Sequence, residues 1–274
     1  MIPLPRPVLT KAPSRATLDA ELVQPRAHGA PAKLTVIIPC YNERETVLEI
    51  IRRVRALPID ATIIVIDNCS TDGTRELLRA ACDEDPGTTP PPPIPGQVML
   101  RGAGFQLVLQ PRNLKKGMSV RTGVALANSE YVICQDADLE YDPTDILRLL
   151  EYAERTGASV VFGSRLAGRP KLERNAFQLG RVALTVLFTS LYRARITDVA
   201  TCYKLMRTDV ARSLPLRSEG FDLDFEIPAR LTRLGHSIAE LPIKYHPRTP
   251  EQGKKIRWRD GLSAAWVLAR TRLF

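Results

Sequence analysis

Two apolar, β-branched runs stand out early in the chain: Leu34–Ile38 in "KLTVIIPCYNE" and Ala61–Asp67, "ATIIVID". Each ends in a polar turn. Between them Val47, Ile50, Ile51 and Val54 recur at helical spacing, which predicts an amphipathic helix. Asn42 followed three residues later by Glu45 has the spacing of a capping box for that helix. The alternation then continues. Thr74–Ala81 predicts a second helix, "FQLVLQ" (Phe105–Gln110) a third strand, Gly117–Asn128 a further helix and "YVICQ" (Tyr131–Gln135) a fourth strand. Pro143 opens another helix, with Ile146, Leu149, Leu150 and Ala153 on one face and Gly157 closing it, and "ASVVFGS" supplies a fifth strand.

Continuous apolar strands alternating with amphipathic helices predict an α/β fold, a Rossmann-like, mostly parallel sheet with helices on both faces. Ligands bind such sheets beyond the carboxyl ends of the strands. Four of the predicted strands end in "PCYNE", "DNCSTDG", "QDADLE" and "GSR". These turns gather at one edge and mark the candidate site.

Proline interrupts the pattern in two places: six of the 22 lie in residues 1–31 and six in residues 86–95. Residues 1–32 read as a disordered arm, without an apolar block long enough for a secretory signal or a membrane span. Residues from about 83 to 104 read as a loop insertion of polyproline character. That leaves residues 33–274 as one globular domain, closing on a basic amphipathic segment from about residue 250. Five cysteines, an odd number without paired spacing, predict reduced thiols in a cytoplasmic protein. Cys40, Cys69 and Cys134 lie in or beside apolar strands and read as small buried side chains rather than metal ligands. The net charge of +9 suits an anionic partner: nucleic acid, a lipid surface or a phosphorylated ligand. No helix-turn-helix or zinc-finger spacing is present and aromatic residues make up only 6 %, which argues against nucleic acid.

The chemistry concentrates in "VICQDADLEYDP", where Asp136, Asp138, Glu140 and Asp142 fall within seven residues. Carboxylates so crowded repel one another unless a cation lies between them. Hard oxygen donors suit Mg²⁺ or Mn²⁺, ions usually shared with substrate phosphates. Helix capping is the other reading, but a cap needs one carboxylate, and Asp142 before Pro143 fills that role. Glu140 completes or supports the ligand set. Asp67, closing the second strand, places a carboxylate where it can accept a nucleobase imide N–H, whereas Ser70, Thr71 and Asp72 read as a helix cap. Asp224 and Glu226 in "FDLDFEI" read equally as a general base or as acids in the first turn of the helix carrying Ile227, Leu231 and Leu234. Neither a Walker A motif nor a dinucleotide fingerprint occurs.

Six segments, in order, carry a resemblance: "TVIIPCYNERETV", "IIVIDNCSTDGT", "NLKKGMSVRTGVALANSEYVICQDADLEYDP", "GSR", "TDVATCYKLMR" and "HPRTPEQGKKIRWRDG". Over roughly residues 33–270 the chain resembles glycosyltransferase family 2, in particular its dolichol- or polyprenyl-phosphate hexose synthase branch. The resemblance implies a GT-A fold, a UDP- or GDP-hexose donor and Mg²⁺ or Mn²⁺. By similarity Pro39, Tyr41 and Glu43 line the nucleotide pocket with Asp67 near the base. Asp136, Ala137 and Asp138 hold metal and diphosphate. Arg165, Arg248, Lys254 and Lys255 face phosphate. Glu140 stands where many relatives carry Gln, and Asn68 where many carry a second Asp.

The implied reaction is an inverting transfer of a hexose to a polyprenyl phosphate. Such an acceptor is mostly dianionic at neutral pH, since a phosphate monoester has a second pKa of about 6. It needs cationic clamps rather than a base, and Arg165, Arg174 or Arg181, Arg248, Lys254 and Lys255 are available. A soluble enzyme acting on a saccharide or small-molecule hydroxyl is the alternative and would call on Asp224 or Glu226. A non-catalytic basic protein binding nucleic acid or membrane is a remote third. Val182–Leu191, flanked by Arg181 and Arg193, is too short to span a bilayer and reads as a core helix or an interfacial one. The final "KKIRWRDGLSAAWVLARTRLF" pairs Trp258 and Trp266 with Arg and Lys, as interfacial anchors do. The expectation is a peripheral protein on the cytoplasmic face of a membrane.

Overall fold

The computed structural model describes residues 32–82, 95–102, 104–167, 176–248 and 258–273. The expected disordered arm, most of the proline-rich insertion, Arg174, Lys254 and Lys255 lie outside the described residues. Among the described residues eight strands form one sheet, β1 (Leu34–Cys40), β2 (Ala61–Asp67), β3 (Val98–Arg101), β4 (Gln106–Leu109), β5 (Tyr131–Cys134), β6 (Val160–Ser164), β7 (Lys204–Arg207) and β8 (Ala239–Pro242). Their order is β3-β4-β2-β1-β5-β7-β6-β8. The centre is parallel, with Leu34 opposite Ala61 on one side of β1 and opposite Tyr131 on the other. β3 and β7 run antiparallel to their neighbours. The fold is the α/β class that the alternating pattern predicts.

Helices α1 (Val47–Arg55), α2 (Thr74–Ala81), α3 (Lys115–Leu126), α4 (Thr144–Thr156), α5 (Ala176–Tyr192), α6 (Thr208–Ser213), α7 (Leu223–Arg233) and α8 (Trp258–Leu273) cover the sheet. Successive residues of β1 point to opposite faces, as a pleated strand requires. Val36 and Ile38 join Val47, Ile50 and Leu149 in one apolar layer, while Ile37 joins Val120, Val124 and Ile227 in the other. Each fully buried aliphatic side chain of this kind contributes about 1.5–3 kcal/mol. A third cluster joins α5, α7 and α8 through Phe188, Tyr192, Phe225, Ala264 and Leu268. Val182–Leu191 therefore belongs to a helix with one side in a core.

Two local expectations fail. Asn42 and Glu45 form no capping box. Asn42 adopts φ 52° and accepts a hydrogen bond from Thr71 N at 2.8 Å, Glu45 is exposed, and the first helical carbonyl partner is Glu43. A short polar side chain that tolerates left-handed backbone has been used to tie the first turn to the second. The insertion, expected to be loop to residue 104, contains β3. Met99 is buried there because β3 completes the edge beside β4. The Asp142 cap is present: its carboxylate accepts Thr144 N at 3.0 Å, and α4 closes at Gly157 with φ 69°.

Candidate active site

The carboxyl ends of β1, β2 and β5 open into a cleft of about 1110 Å³. Pro39, Tyr41 and Glu43 enter it from β1, Asn68 from β2, and Asp136, Ala137 and Asp138 from β5. The turns that build it hold non-glycine residues in left-handed backbone: Cys69 (φ 63°), Lys115 (φ 66°) and Leu139 (φ 62°), besides Asn42. Such conformations cost about 1–2 kcal/mol each. At Leu139 the turn folds Glu140 N back onto Asp138 Oδ1 at 3.1 Å. Gly117 performs another close approach. A Cβ there would lie 2.6 Å from the Glu219 carbonyl carbon, so only glycine lets α3 meet the 218–220 loop at the rim.

Charges in the cleft fall into connected groups. Lys116 Nζ lies 2.8 Å from Asp136 and 3.4 Å from Asp224, and Lys204 Nζ lies 3.2 Å from Asp224. Burial works against the Lys116 charge, but Asp136 and Asp224 outweigh it and hold its pKa well above the ordinary lysine range. On the other wall Arg248 forks onto Glu43 at 3.1 and 2.8 Å and donates through Nε to the Asp138 carbonyl at 2.9 Å. Glu140 accepts from Tyr245 Oη at 2.7 Å and from Arg248 N at 2.6 Å. Each of its oxygens thus holds one donor, and Glu140 braces the turn that carries Asp138. Asp138 is the acid under strain. Burial first, then the charges of Asp136 and Glu140, push its pKa up to about 7. Asp136 and Asp138 both line this cleft, and an acid whose charge burial and neighbouring carboxylates disfavour fits a hard divalent cation.

The profile of the family described as glycosyl transferase family 2 matches residues 35–214, well over half of the chain. The chain belongs to glycosyltransferase family 2. Among this glycosyltransferase's relatives is the undecaprenyl-phosphate mannosyltransferase of Micrococcus luteus, 27 % identical over 259 residues, covering 88 % of this chain and 99 % of that protein. Glycosyltransferase AglJ of Haloferax volcanii is 28 % identical over 220 residues, 80 % of this chain. The match spans 64 % of AglJ's length. Among solved structures, glucosyl-3-phosphoglycerate synthase of Mycobacterium tuberculosis, in complex with Mn²⁺, UDP and glucosyl-3-phosphoglycerate, superposes with a TM-score of 0.60 at 17 % identity over 99 % of this chain and 85 % of that one. The same synthase with Mg²⁺ and UDP gives 0.61. This likeness shows the GT-A fold.

Other residues of the glycosyltransferase sit differently from the sequence expectation. Arg165 reaches the cleft, but its guanidinium grips the buried Asp198 at 2.7 and 2.8 Å, so its charge is already countered. Arg181 lies close by, 5.9 Å from the Tyr245 ring; its Nε is buried without a hydrogen-bond partner, and burial followed by Arg165 lowers its pKa. Asp67 is fully buried behind the cleft, bonded to Arg75 at 2.5 Å and to Ser70 N at 3.2 Å. Asn68 lines the cleft in its place. Asp224 does reach the cleft. Glu226 does not: it accepts Arg217 N at 2.9 Å and Ser218 N at 2.7 Å and pairs with Arg230. It anchors the rim loop and is withdrawn as a base.

Sequence reasoning missed Lys116, Asp198, Lys204 and Tyr245. Lys116, Asp198 and Lys204 lay inside the quoted motifs, yet nothing local announces that they pair with residues 20, 33 and 20 positions away. Among the described residues no helix is long and apolar enough to cross a membrane.

Proposed function

We propose that this glycosyltransferase moves a hexose from a UDP- or GDP-sugar to a polyprenyl phosphate at a membrane surface. Asp136 and Asp138 would hold Mg²⁺ or Mn²⁺, which neutralises charge on the diphosphate leaving group when bound. Pro39, Tyr41 and Glu43 flank the nucleotide. An acceptor phosphate oxygen attacks the anomeric carbon from the face opposite the diphosphate, the sugar–oxygen bond breaks, and its electron pair leaves with the nucleoside diphosphate. The configuration inverts.

The observation carrying the acceptor class is the state of Asp224. Burial raises its proton affinity, but Lys116 and Lys204 overcome this and hold its carboxyl below the usual range. A carboxylate clamped by two ammonium groups is a weak base. With Glu226 turned away, the described cleft suits an acceptor already deprotonated. Arg181, half-buried with its Nε unbonded beside Arg165 and Tyr245, is available to a phosphate next to the cleft.

Helix α8 supports the membrane side. It lends Ser263 and Arg270 to the cleft and exposes Leu262, Trp266 and Leu273, which share one helical face. Leu179 and Val186 of α5, seven residues apart, are exposed as well. The identity with the Micrococcus undecaprenyl-phosphate mannosyltransferase over 99 % of its length points the same way.

Radiolabelled UDP- and GDP-hexoses with Mn²⁺ are offered polyprenyl phosphate in anionic liposomes, water-soluble saccharides, or phosphorylated small acceptors. Solvent-extractable product, lost on chelation, is expected. Asp224→Asn should lower transfer less than about 10-fold, against the ~10²–10⁴-fold loss typical of removing a true base. Product formed only from saccharide hydroxyls, with a base-sized loss in Asp224→Asn, would refute the lipid acceptor.

A further inference from the structure

The apolar strand end that carries Asp136 also carries a thiol that the proposed transfer does not use. Cys134, the last residue of β5, is half-exposed rather than buried as its apolar strand suggests, and Cys202 lies in the segment entering β7, the antiparallel neighbour of β5. Cys202 Sγ lies 3.5 Å from the Cys134 carbonyl oxygen. The Cys134 Sγ, the Cys202 Sγ and an Asp136 carboxylate oxygen all lie within 4.8 Å of one another. Cys202 and Asp136 both border the cleft, whereas all five cysteines are reduced thiols.

Two sulfurs and one oxygen at these separations describe three corners of a tetrahedron. With metal–sulfur bonds of about 2.3 Å and metal–oxygen bonds of about 2.0–2.2 Å, the edges of such a tetrahedron run to roughly 3.5–3.8 Å. The observed upper bound of 4.8 Å is about 1 Å wider than those edges. The donor set is soft. Thiolates select Zn²⁺ and its neighbours, while the carboxylate set of Asp136 and Asp138 selects Mg²⁺ or Mn²⁺. The site already holds one cation, the Lys116 ammonium 2.8 Å from Asp136.

We propose that Cys134, Cys202 and Asp136 form a binding site for a thiophilic divalent cation of the Zn²⁺ class, with its fourth position open to the cleft. Binding exchanges two thiol protons for one cation, so two protons are released per ion bound. Because Asp136 is shared, an ion here draws its carboxylate away from the hard-cation site and displaces Lys116. Zn²⁺ then antagonises Mn²⁺-supported transfer. The antagonism rests on the function proposed above; the binding site does not.

The test uses the full chain, stripped of metal and titrated with Co²⁺ as a spectroscopic probe and then with Zn²⁺. Thiolate-to-cobalt charge-transfer absorption, abolished by Zn²⁺, and release of two protons per Zn²⁺ are expected. Cys134→Ser and Cys202→Ser should each lose the absorption and weaken Zn²⁺ by more than the ~10–100-fold that outer-shell changes cost metal sites, while Cys69→Ser retains both. Melting curves of the variants establish that each is folded, and half-exposed Cys134 provides the gentler substitution should Cys202→Ser fail. Absence of the absorption in wild type, or equal Zn²⁺ affinity in wild type and Cys134→Ser, overturns the site. In the transfer assay Zn²⁺ should inhibit wild type at concentrations that leave Cys134→Ser uninhibited; equal inhibition of both overturns the antagonism. An enzyme inactive toward polyprenyl phosphate would still display the cobalt signature, which separates this site from the acceptor reading.

Discussion

Asp138 sets a pH dependence whose sign follows from its surroundings. Its folded pKa of about 7 lies above the ordinary 3.8 of an aspartate. Below about pH 4 the carboxyl is protonated in both folded and unfolded chains, and folding is indifferent to it. Between about pH 4 and 7 the unfolded chain ionises while the folded one retains its proton, so stability falls as pH rises, then levels. Asp138→Asn should therefore melt higher than wild type at about pH 7.5, by roughly 1–3 kcal/mol, and match it near pH 4. Mn²⁺ should stabilise wild type and leave the variant unmoved; thermal unfolding at both pH values, with and without Mn²⁺, reads all of this. The pair Asp136 and Asp138 was legible in the sequence because one strand end supplies both. The choice between Asp224 and Glu226 was not. Residues two apart on a helix point about 200° away from each other, and only the packing of α7 decides which one meets the cleft.

At the scale of elements, the parallel centre of the sheet was legible because buried parallel strands are continuous apolar runs. β7 and β8 were not: "KLMR" and "AELP" are four residues each and carry no period of their own. β3 hid within a stretch whose prolines suggested loop, and its pairing with β4 exists only once β4 sits at the sheet edge. The rim and core glycines of α3 make a matched experiment. Gly117→Ala drives a Cβ against the Glu219 backbone, and Gly123→Ala drives one against the Ile37 side chain at 2.5 Å. Both should cost about 1–3 kcal/mol of stability through overpacking. Gly117→Ala should in addition weaken nucleotide-sugar binding by displacing the rim loop, whereas Gly123→Ala should not; calorimetry with UDP- and GDP-hexoses distinguishes them. On α8, Trp266→Ser, at a residue 64 % exposed, should reduce flotation with anionic liposomes and leave the melting temperature nearly unchanged.

For the whole molecule, a net charge of +9 agrees with an anionic surface and anionic substrates, and it makes association sensitive to ionic strength. Liposome binding should weaken steadily as salt is raised. The Glu43–Arg248 fork joins the first turn of the sheet to the last described residue before α8. Glu43→Gln should loosen that wall. The measurable result is a rise in the KM for the nucleotide sugar, with a fall in stability of about 1–3 kcal/mol from the half-buried charge left behind.

That fork spans 205 positions. During synthesis, chains emerge from the ribosome at about 5–20 residues per second and fold from their N-terminal end. The central strands can pair long before Arg248 appears, so the growing chain passes through a stage with a formed scaffold and an unwalled cleft. The wall that Arg248 completes is therefore added after the sheet it closes, and a chain cut between β8 and Arg248 would keep the strands and lose that wall.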